Sequence, residues 1–331
     1  MKLNPKNLLS SENKFILVDI GSMGGIEKEW LNLGNNLKTV GFEPDNREYS
    51  KLKTQENQIF FNSALSHTDH EPLKIHLCRE TGKSSILLPN QPFIDQYPFP
   101  QRYNVIETFQ LNAEKVRTLD SILNENNILD VDFIKLDTQG SELDILKGSR
   151  EKLKSIIGVK IEVEFHALYK NQPLFSDVDQ FLRTEGFELY DLRRVYWKKT
   201  VNTTFHGKGQ LIFGDALYFK SLDSFSKHIE MLSPAEKNKK IKRFIVACCT
   251  YGAYDFAADL MKSGQKFNAE FSNDYRKYLE EILNSGIWHK ICSGFKSIRA
   301  ARVLERLERI LGKSYKNFAD SDNYLGNRRI L

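Results

Sequence analysis

The sequence carries four cysteines in 331 residues, and Cys78, Cys248, Cys249 and Cys292 show no C-x-x-C spacing. With two of them adjacent in an apolar helical stretch, buried free thiols in a reducing cytoplasm are expected rather than a disulfide framework. Long uninterrupted apolar runs are missing too. The most apolar stretch, residues 244–261, contains Gly252, Asp255 and Asp259, which predicts a buried helix pair and not a membrane span. The N-terminus, Met1-Lys2-Leu3-Asn4-Pro5-Lys6, leads into polar residues without an apolar signal core, so no secretory segment is expected. Charge of one sign is scarce: a net +5 does not by itself imply nucleic acid. The phosphate-cradling patterns G-x-G-x-x-G and G-x-x-x-x-G-K-[ST] are both absent, which weakens NAD and ATP as ligands. What remains, 40% apolar and 27% charged residues, is material for one large core with an appendage.

Against those absences one stretch stands out. Phe15-Ile16-Leu17-Val18-Asp19-Ile20-Gly21-Ser22-Met23-Gly24-Gly25 runs from apolar residues into an acid and a glycine turn. It predicts a buried parallel strand that stops where backbone approaches a nucleotide-like cofactor, with peptide N–H groups unobstructed by Cβ atoms. The bland alternative is a tight strand-to-helix turn. Residues 26–33 read as a short helix pointing its N-terminus at the ligand. Residues 39–45 read as a second strand ending at Glu43, 22 positions beyond Gly21. An acid there can accept hydrogen bonds from two ribose hydroxyls; the alternative is a cap on the helix beginning near Pro44. A third strand over 58–65 sets residues 62–65 beside Glu43 at the same carboxyl edge.

Residues 72–78 and 105–111 alternate in polarity and are expected to pair. Between them, residues 81–101 are polar and broken by four prolines, the candidate lid or acceptor wall. The most specific pattern is Asp132-Phe133-Ile134-Lys135-Leu136-Asp137-Thr138-Gln139-Gly140-Ser141-Glu142-Leu143-Asp144-Ile145-Leu146-Lys147-Gly148. It reads as a strand ending in Asp137, a turn at Gly140 and a helix stopped by Gly148. A fifth strand over 158–166 points Lys160, Glu162, Glu164 and His166 to one side, the last two at the carboxyl end. His166 is as compatible with a satisfied structural histidine as with a catalytic one. A helix over 176–185 and strands over 187–192, 210–213 and 216–220 complete an alternating α/β domain near Lys220.

Taken together, these residues resemble the FkbM-type methyltransferases. The resemblance rests on Val18-Asp19-Ile20-Gly21, Val40-Gly41-Phe42-Glu43-Pro44-Asp45, Asn62-Ser63-Ala64-Leu65, Ile134-Lys135-Leu136-Asp137-Thr138-Gln139-Gly140-Ser141-Glu142-Leu143, Glu164-Phe165-His166 and Asp215-Ala216-Leu217-Tyr218-Phe219-Lys220, in that order. It implies a doubly wound, seven-stranded Rossmann-like sheet with one antiparallel strand, S-adenosylmethionine (SAM) at the carboxyl edge, and methyl transfer to a hydroxyl, often on a sugar or glycosylated metabolite. Asp19, Gly21 and Gly24 would line the cofactor, Glu43 would hold its ribose, and Asn62 and Ala64 would lie near the adenine. The candidate bases are His166 first, then Asp137 and Glu142. Asp137, Glu142 and Glu164 could offer oxygen ligands to Mg²⁺, but no recognised ligand spacing is present and no metal is expected. The family commonly shows Asp-x-Glu-Gly where this chain has Asp137-Thr138-Gln139-Gly140, an amide in place of a carboxylate. Two rival readings stay open: a catalytically silent SAM-fold module that positions a partner, and a nicotinamide-dependent oxidoreductase.

The methyltransferase-like domain is expected to span residues 1–221, followed by a helical, basic C-terminal extension over 222–331. Residues 237–243 carry five cations in seven positions, and residues 290–316 carry eight basic residues against two acids. Ile298, Ala301, Leu304, Leu307 and Leu311 recur at helical spacing beneath the second set. The bland reading is a solvated face over a packed core. The sharper one, for residues 288–316, is docking to a membrane surface or an acidic partner; aromatic interleaving is too sparse for nucleic acid.

Overall fold

The structure, a computed structural model, describes residues 5–202, 207–267, 318–322 and 325. Its strands are β1 Phe15–Ile20, β2 Leu37–Phe42, β3 Gln58–Phe61, β4 Ala64–Leu65, β5 Lys74–Cys78, β6 Val105–Gln110, β7 Val116–Arg117, β8 Phe133–Leu136, β9 Gly158–Glu164, β10 Phe187–Trp197, β11 Gln210–Lys220 and β12 Ala319–Ser321. One mixed sheet takes the order β12-β10-β11-β9-β8-β1-β2-β3. β3, β2, β1, β8 and β9 run parallel. β11 runs antiparallel to both β9 and β10. The doubly wound seven-stranded sheet with one reversed strand is present, extended at its edge by the three residues of β12.

The central strands are apolar on both sides because both faces are covered. Alternation along β1 sends Phe15 and Leu17 into one core and Val18 and Ile20 into the other. Several details differ from the sequence expectation. β3 stops at Phe61, and Ala64–Leu65 leaves the sheet to pair with Val116–Arg117. The two strands expected over 210–220 are one continuous strand, passing through Gly214, where a Cβ would come within 2.6 Å of the Arg193 carbonyl. β5 and β6 do pair, antiparallel.

Residues on both sides of position 221 share one apolar core. Helices Leu222–Glu230, Pro234–Thr250 and Tyr254–Phe267 follow, and Phe225, Phe244, Tyr251, Ala257 and Leu260 share a core with Phe15, Leu17, Trp30, Phe133 and Phe219. Trp30 stacks on Phe15 at 4.9 Å and meets Phe133 and Tyr251 at 5.0 and 5.7 Å. These helices close one face of the sheet, burying aromatic surface that would otherwise face water.

Part of the first basic cluster is spent in the same place. Lys240 Nζ donates to Asp130 Oδ1 and Asp132 Oδ1, each at 2.8 Å, and to the Val131 carbonyl at 3.0 Å. Arg243 donates from Nε to Asn13 Oδ1 at 2.8 Å and pairs with Asp130 and Asp132. Asp132 in turn accepts the backbone N–H of Ile16 through Oδ2. Lys240 and Arg243 therefore tie the Pro234–Thr250 helix to the amino ends of β1 and β8 rather than forming a solvated face. The second cluster, residues 288–316, lies outside the described residues.

Candidate active site

At the carboxyl edge, a cleft of about 300 Å³ opens between the ends of β1, β2 and β8 and the segment after β5. That is at the small end of roughly 300–1,000 Å³, the usual size of small-ligand sites. Gly21, Met23, Glu43, Ala64, Lys83, Ser85, Lys135, Asp137, Gln139 and Glu162 are among its lining residues.

The floor is built by register. Asp19 on β1 stands level with Gly41 on β2 and Lys135 on β8. Only 2% of Asp19 is exposed, and Lys135 Nζ lies 3.1 Å from its Oδ1. The same ammonium donates to the Gly21 carbonyl at 2.9 Å, so Asp19 holds the glycine turn through Lys135. Burial pushes the Asp19 carboxyl up to about 6, against the pull of Lys135. Burial acts on Lys135 in the opposite sense, but Asp19, Asp137 and Glu27 outweigh it and hold the ammonium charged. Gly21 has φ +79°, and a Cβ there would fall 2.0 Å from the Asp137 carbonyl, so the β1 and β8 ends approach only because this residue is glycine. Ser22 locks the same turn: its Oγ donates to the Asp19 carbonyl at 2.6 Å and accepts from the Phe42 N–H at 3.1 Å.

Glu43 lies just beyond β2, and its Oε1 accepts the Asp45 N–H at 2.8 Å. Burial pushes it up to about 7, the Asp45 N–H opposing. Asn62 lies behind it rather than in the lining, donating to the Glu43 and Pro44 carbonyls at 3.0 and 3.3 Å and accepting from Lys115. Ser63 and Ala64 line the cleft instead, beside Phe42, Leu65 and Ile145.

Beside the glycine turn, Asp137 and Glu162 meet across an amide. Gln139 Nε2 donates to Asp137 Oδ1 at 3.1 Å and to Glu162 Oε1 at 2.7 Å. Its Oε1 accepts the Tyr169 hydroxyl at 3.0 Å, and its carbonyl accepts Ser85 Oγ at 2.7 Å. Burial, with Asp137 and Asp215 adding like charge, raises Glu162 well above the usual carboxylate range; Lys83 opposes. Residues 81–101 are anchored over this pair. Ser85 exchanges backbone hydrogen bonds with His76, Tyr169 Oη lies 2.9 Å from the Lys83 carbonyl and shares its one proton between that oxygen and Gln139 Oε1, and Thr81 Oγ1 approaches Met23 Sδ at 3.7 Å. Residues 80–86 thus form a wall of the cleft, next to the glycine turn.

Several expected site residues lie elsewhere. His166 is not in the lining: β9 ends at Glu164, and the imidazole stacks on Phe93 at 5.3 Å with Nε2 2.8 Å from Gln210 Nε2. Glu142, the first residue of the following helix, turns back on the preceding loop, accepting the Thr138 N–H at 2.7 Å and the Gly140 N–H at 2.9 Å, so both oxygens brace that loop. Burial raises its carboxyl. Asp19 and Gly24 are also outside the lining, Asp19 beneath the turn and Gly24 within it at φ +81°. Asp137, Gly21, Glu43 and Ala64 are in it. Glu162 is the residue the sequence reading passed over; alternation marked its face, and only the early end of β9 shows that it, not Glu164 or His166, reaches the cleft. Glu164 is 3% exposed, and burial raises it well above its usual range. Asp137, Glu142 and Glu164 do not form an ion-sized group; among the described residues the set close enough to do so is His67, Glu71 and Asp144.

No curated relative matches the sequence. Among solved structures, a precorrin-6y C5,15-methyltransferase from Geobacter metallireducens GS-15 is similar over 63% of this chain and 81% of its own, at 10% identity and a TM-score of 0.31. TrmK from M. capricolum, in complex with S-adenosyl-homocysteine, is similar over 85% and 98%, at 10% identity and a TM-score of 0.29. A family model described as the methyltransferase FkbM domain matches residues 19–189, more than half of the chain and all of the cleft's lining. The chain belongs to the FkbM methyltransferase family, a family of SAM-dependent methyltransferases.

Proposed function

We propose that the chain is an O-methyltransferase that methylates a hydroxyl of a glycan or sugar-bearing metabolite. Bound SAM would supply a methyl group on a sulfonium centre. Gly21 clears the approach to the turn, and the buried Glu43 carboxylate, engaged by the Asp45 N–H among the described residues, is suited to a ribose diol. Phe42, Ala64, Leu65 and Ile145 supply apolar wall for a flat base.

The observation that carries the hydroxyl acceptor is the Asp137–Glu162 pair. A hydroxyl becoming an ether must lose a proton, and that needs a base within hydrogen-bond reach in a site that excludes water. Two carboxylates facing the cleft, bridged by one amide, meet the requirement, with Asp137 the base of choice because burial drives Glu162 toward its neutral form. A cytoplasmic setting belongs to the same reading: Cys78, Cys248 and Cys249 are free and buried, and among the described residues no helix is long and apolar enough to cross a membrane.

The test is transfer of labelled methyl from SAM to a panel of sugar, amine and carboxylate acceptors, with S-adenosylhomocysteine (SAH) binding measured alongside. Label in an alkali-stable ether on a sugar is the expected result. Label only on amines would overturn the hydroxyl acceptor, and SAH binding without turnover on any acceptor would favour the silent module.

A further inference from the structure

We infer that Gln139 is a positioning residue whose amide must donate hydrogen bonds to Asp137 and Glu162 at once, so that the pair can work as one proton-accepting unit. The inference rests on the methyl-transfer reading above. Four observations support it. The amide hydrogens are directed to one carboxylate on each side, at 3.1 and 2.7 Å. The amide's orientation is set in front, because an oxygen turned toward two carboxylates would be repelled, and its Oε1 instead lies 3.0 Å from the Tyr169 hydroxyl, whose one proton it shares with the Lys83 carbonyl. Gln139 sits at φ +59°, a conformation seldom adopted by a residue other than glycine, and is held there by Ser85 Oγ on its carbonyl and by the Glu142 carboxylate on the Thr138 and Gly140 N–H groups either side of it. Finally, only 8% of the residue is exposed, so water does not readily replace the bonds.

The chemistry follows from donor count. Two carboxylates drawn together repel when both are ionised, and a neutral donor between them relieves that repulsion without taking a proton. Lys83 faces the pair from the wall, Asp215 from β11, Glu142 from the helix after Gly140, Glu164 from the same strand, and Lys135 from β8. Acids outnumber cations in that list, so a third carboxylate at position 139 could serve only in its protonated form, and then with one hydrogen instead of two. The amide donates at every pH. Tyr169, whose hydroxyl also reaches the Lys83 carbonyl, links this donor to the wall, so the seating of residues 80–86 and the spacing of the carboxylates are set together.

The experiment compares Gln139→Glu, Gln139→Leu and Tyr169→Phe with the parent protein. SAH affinity is expected to stay within about twofold in all three, since the cofactor edge is built by other residues. With whichever acceptor the parent methylates, Gln139→Leu should lose kcat by about tenfold to a hundredfold at all pH, the scale of misplaced reacting groups. Gln139→Glu should retain more kcat at about pH 5–6 and lose it as pH rises, and Tyr169→Phe should fall severalfold in kcat alone. A second readout needs no acceptor. The melting temperature of Gln139→Glu should drop progressively below that of the parent between about pH 5 and pH 8, because an acid whose folded pKa is raised costs stability as it ionises, while the deficit of Gln139→Leu stays level. A pH-independent deficit in Gln139→Glu, or full kcat in Gln139→Leu, would overturn the donor role. Failure of the parent itself to bind SAH would overturn the methyltransferase assignment instead, leaving the melting comparison to judge the donor.

Discussion

Two buried ionic clusters lie at opposite ends of the same strands, and they are assembled on different principles. At the amino end, Asp130 and Asp132 face Lys240 and Arg243, two acids against two cations, with backbone groups taking up further valences. Burial raises Asp132 despite both cations; for Asp130 the cations outweigh burial and hold it below its usual range. At the carboxyl end, Lys135 is committed to Asp19 and the Gly21 carbonyl, and Glu43, Asp137 and Glu162 are left facing the cleft with Lys83 as the nearby cation. The balanced cluster holds a helix to the sheet. The unbalanced one leaves carboxyl groups facing an open cleft.

Breaking the balanced cluster should have the largest effect. Lys240→Ala leaves Asp132, which is fully buried, without its closest cation, and should cost about 3–5 kcal/mol in urea unfolding. SAH affinity of the folded fraction should be unchanged. Equal loss of binding would mean that the two ends are not independent. Next comes the cofactor edge. Glu43→Ala should weaken SAH binding by about 1–3 kcal/mol in calorimetry, the scale of buried hydrogen bonds to a charged group. Because burial lifts Glu43 from its ordinary 4.5 to about 7, folding stability drawn from this residue falls as pH climbs through that window, whereas SAH affinity should rise over it as the carboxylate forms. Glu43→Gln should flatten both trends. The smallest effect is expected behind the edge. Asn62→Ala removes donors to two carbonyls and should cost about 0.5–1.5 kcal/mol of stability in thermal melts, with SAH binding weakened by less than Glu43→Ala.

The carboxyl edge of the sheet was largely legible in the sequence because parallel strands buried on both faces read as apolar runs, and each run at this edge breaks at an acid or a glycine. β1 with Gly21, β2 with Glu43 and β8 with Asp137 are all of that kind. Alternation likewise announced β5 and β6. What stayed hidden depended on partners far along the chain. Lys240 read only as one of five clustered cations because its acid lies 108 residues earlier. Glu162 and His166 shared a face by alternation, but the end of the strand, set by where Phe165 N–H turns to the Ile212 carbonyl, decided which one reached the cleft. Gln139 looked like the loss of a carboxylate; its two acceptors show that the position uses donors.

The far end of the polypeptide comes home. Phe318 packs its ring on Phe99 at 5.2 Å beside the wall segment, Ala319–Ser321 extends the sheet along β10, Asp322 clasps Arg194, and Leu325 is buried in the core with Phe244. The described residues on either side of the basic stretch, Leu260 before it and Ala319–Ser321 after it, are moored to the same domain. Clipping the chain at residue 287 would strip a sheet edge and a core side chain together with the cations. An excision that rejoins the moorings, or charge reversal within the stretch, is the cleaner way to learn what those cations touch.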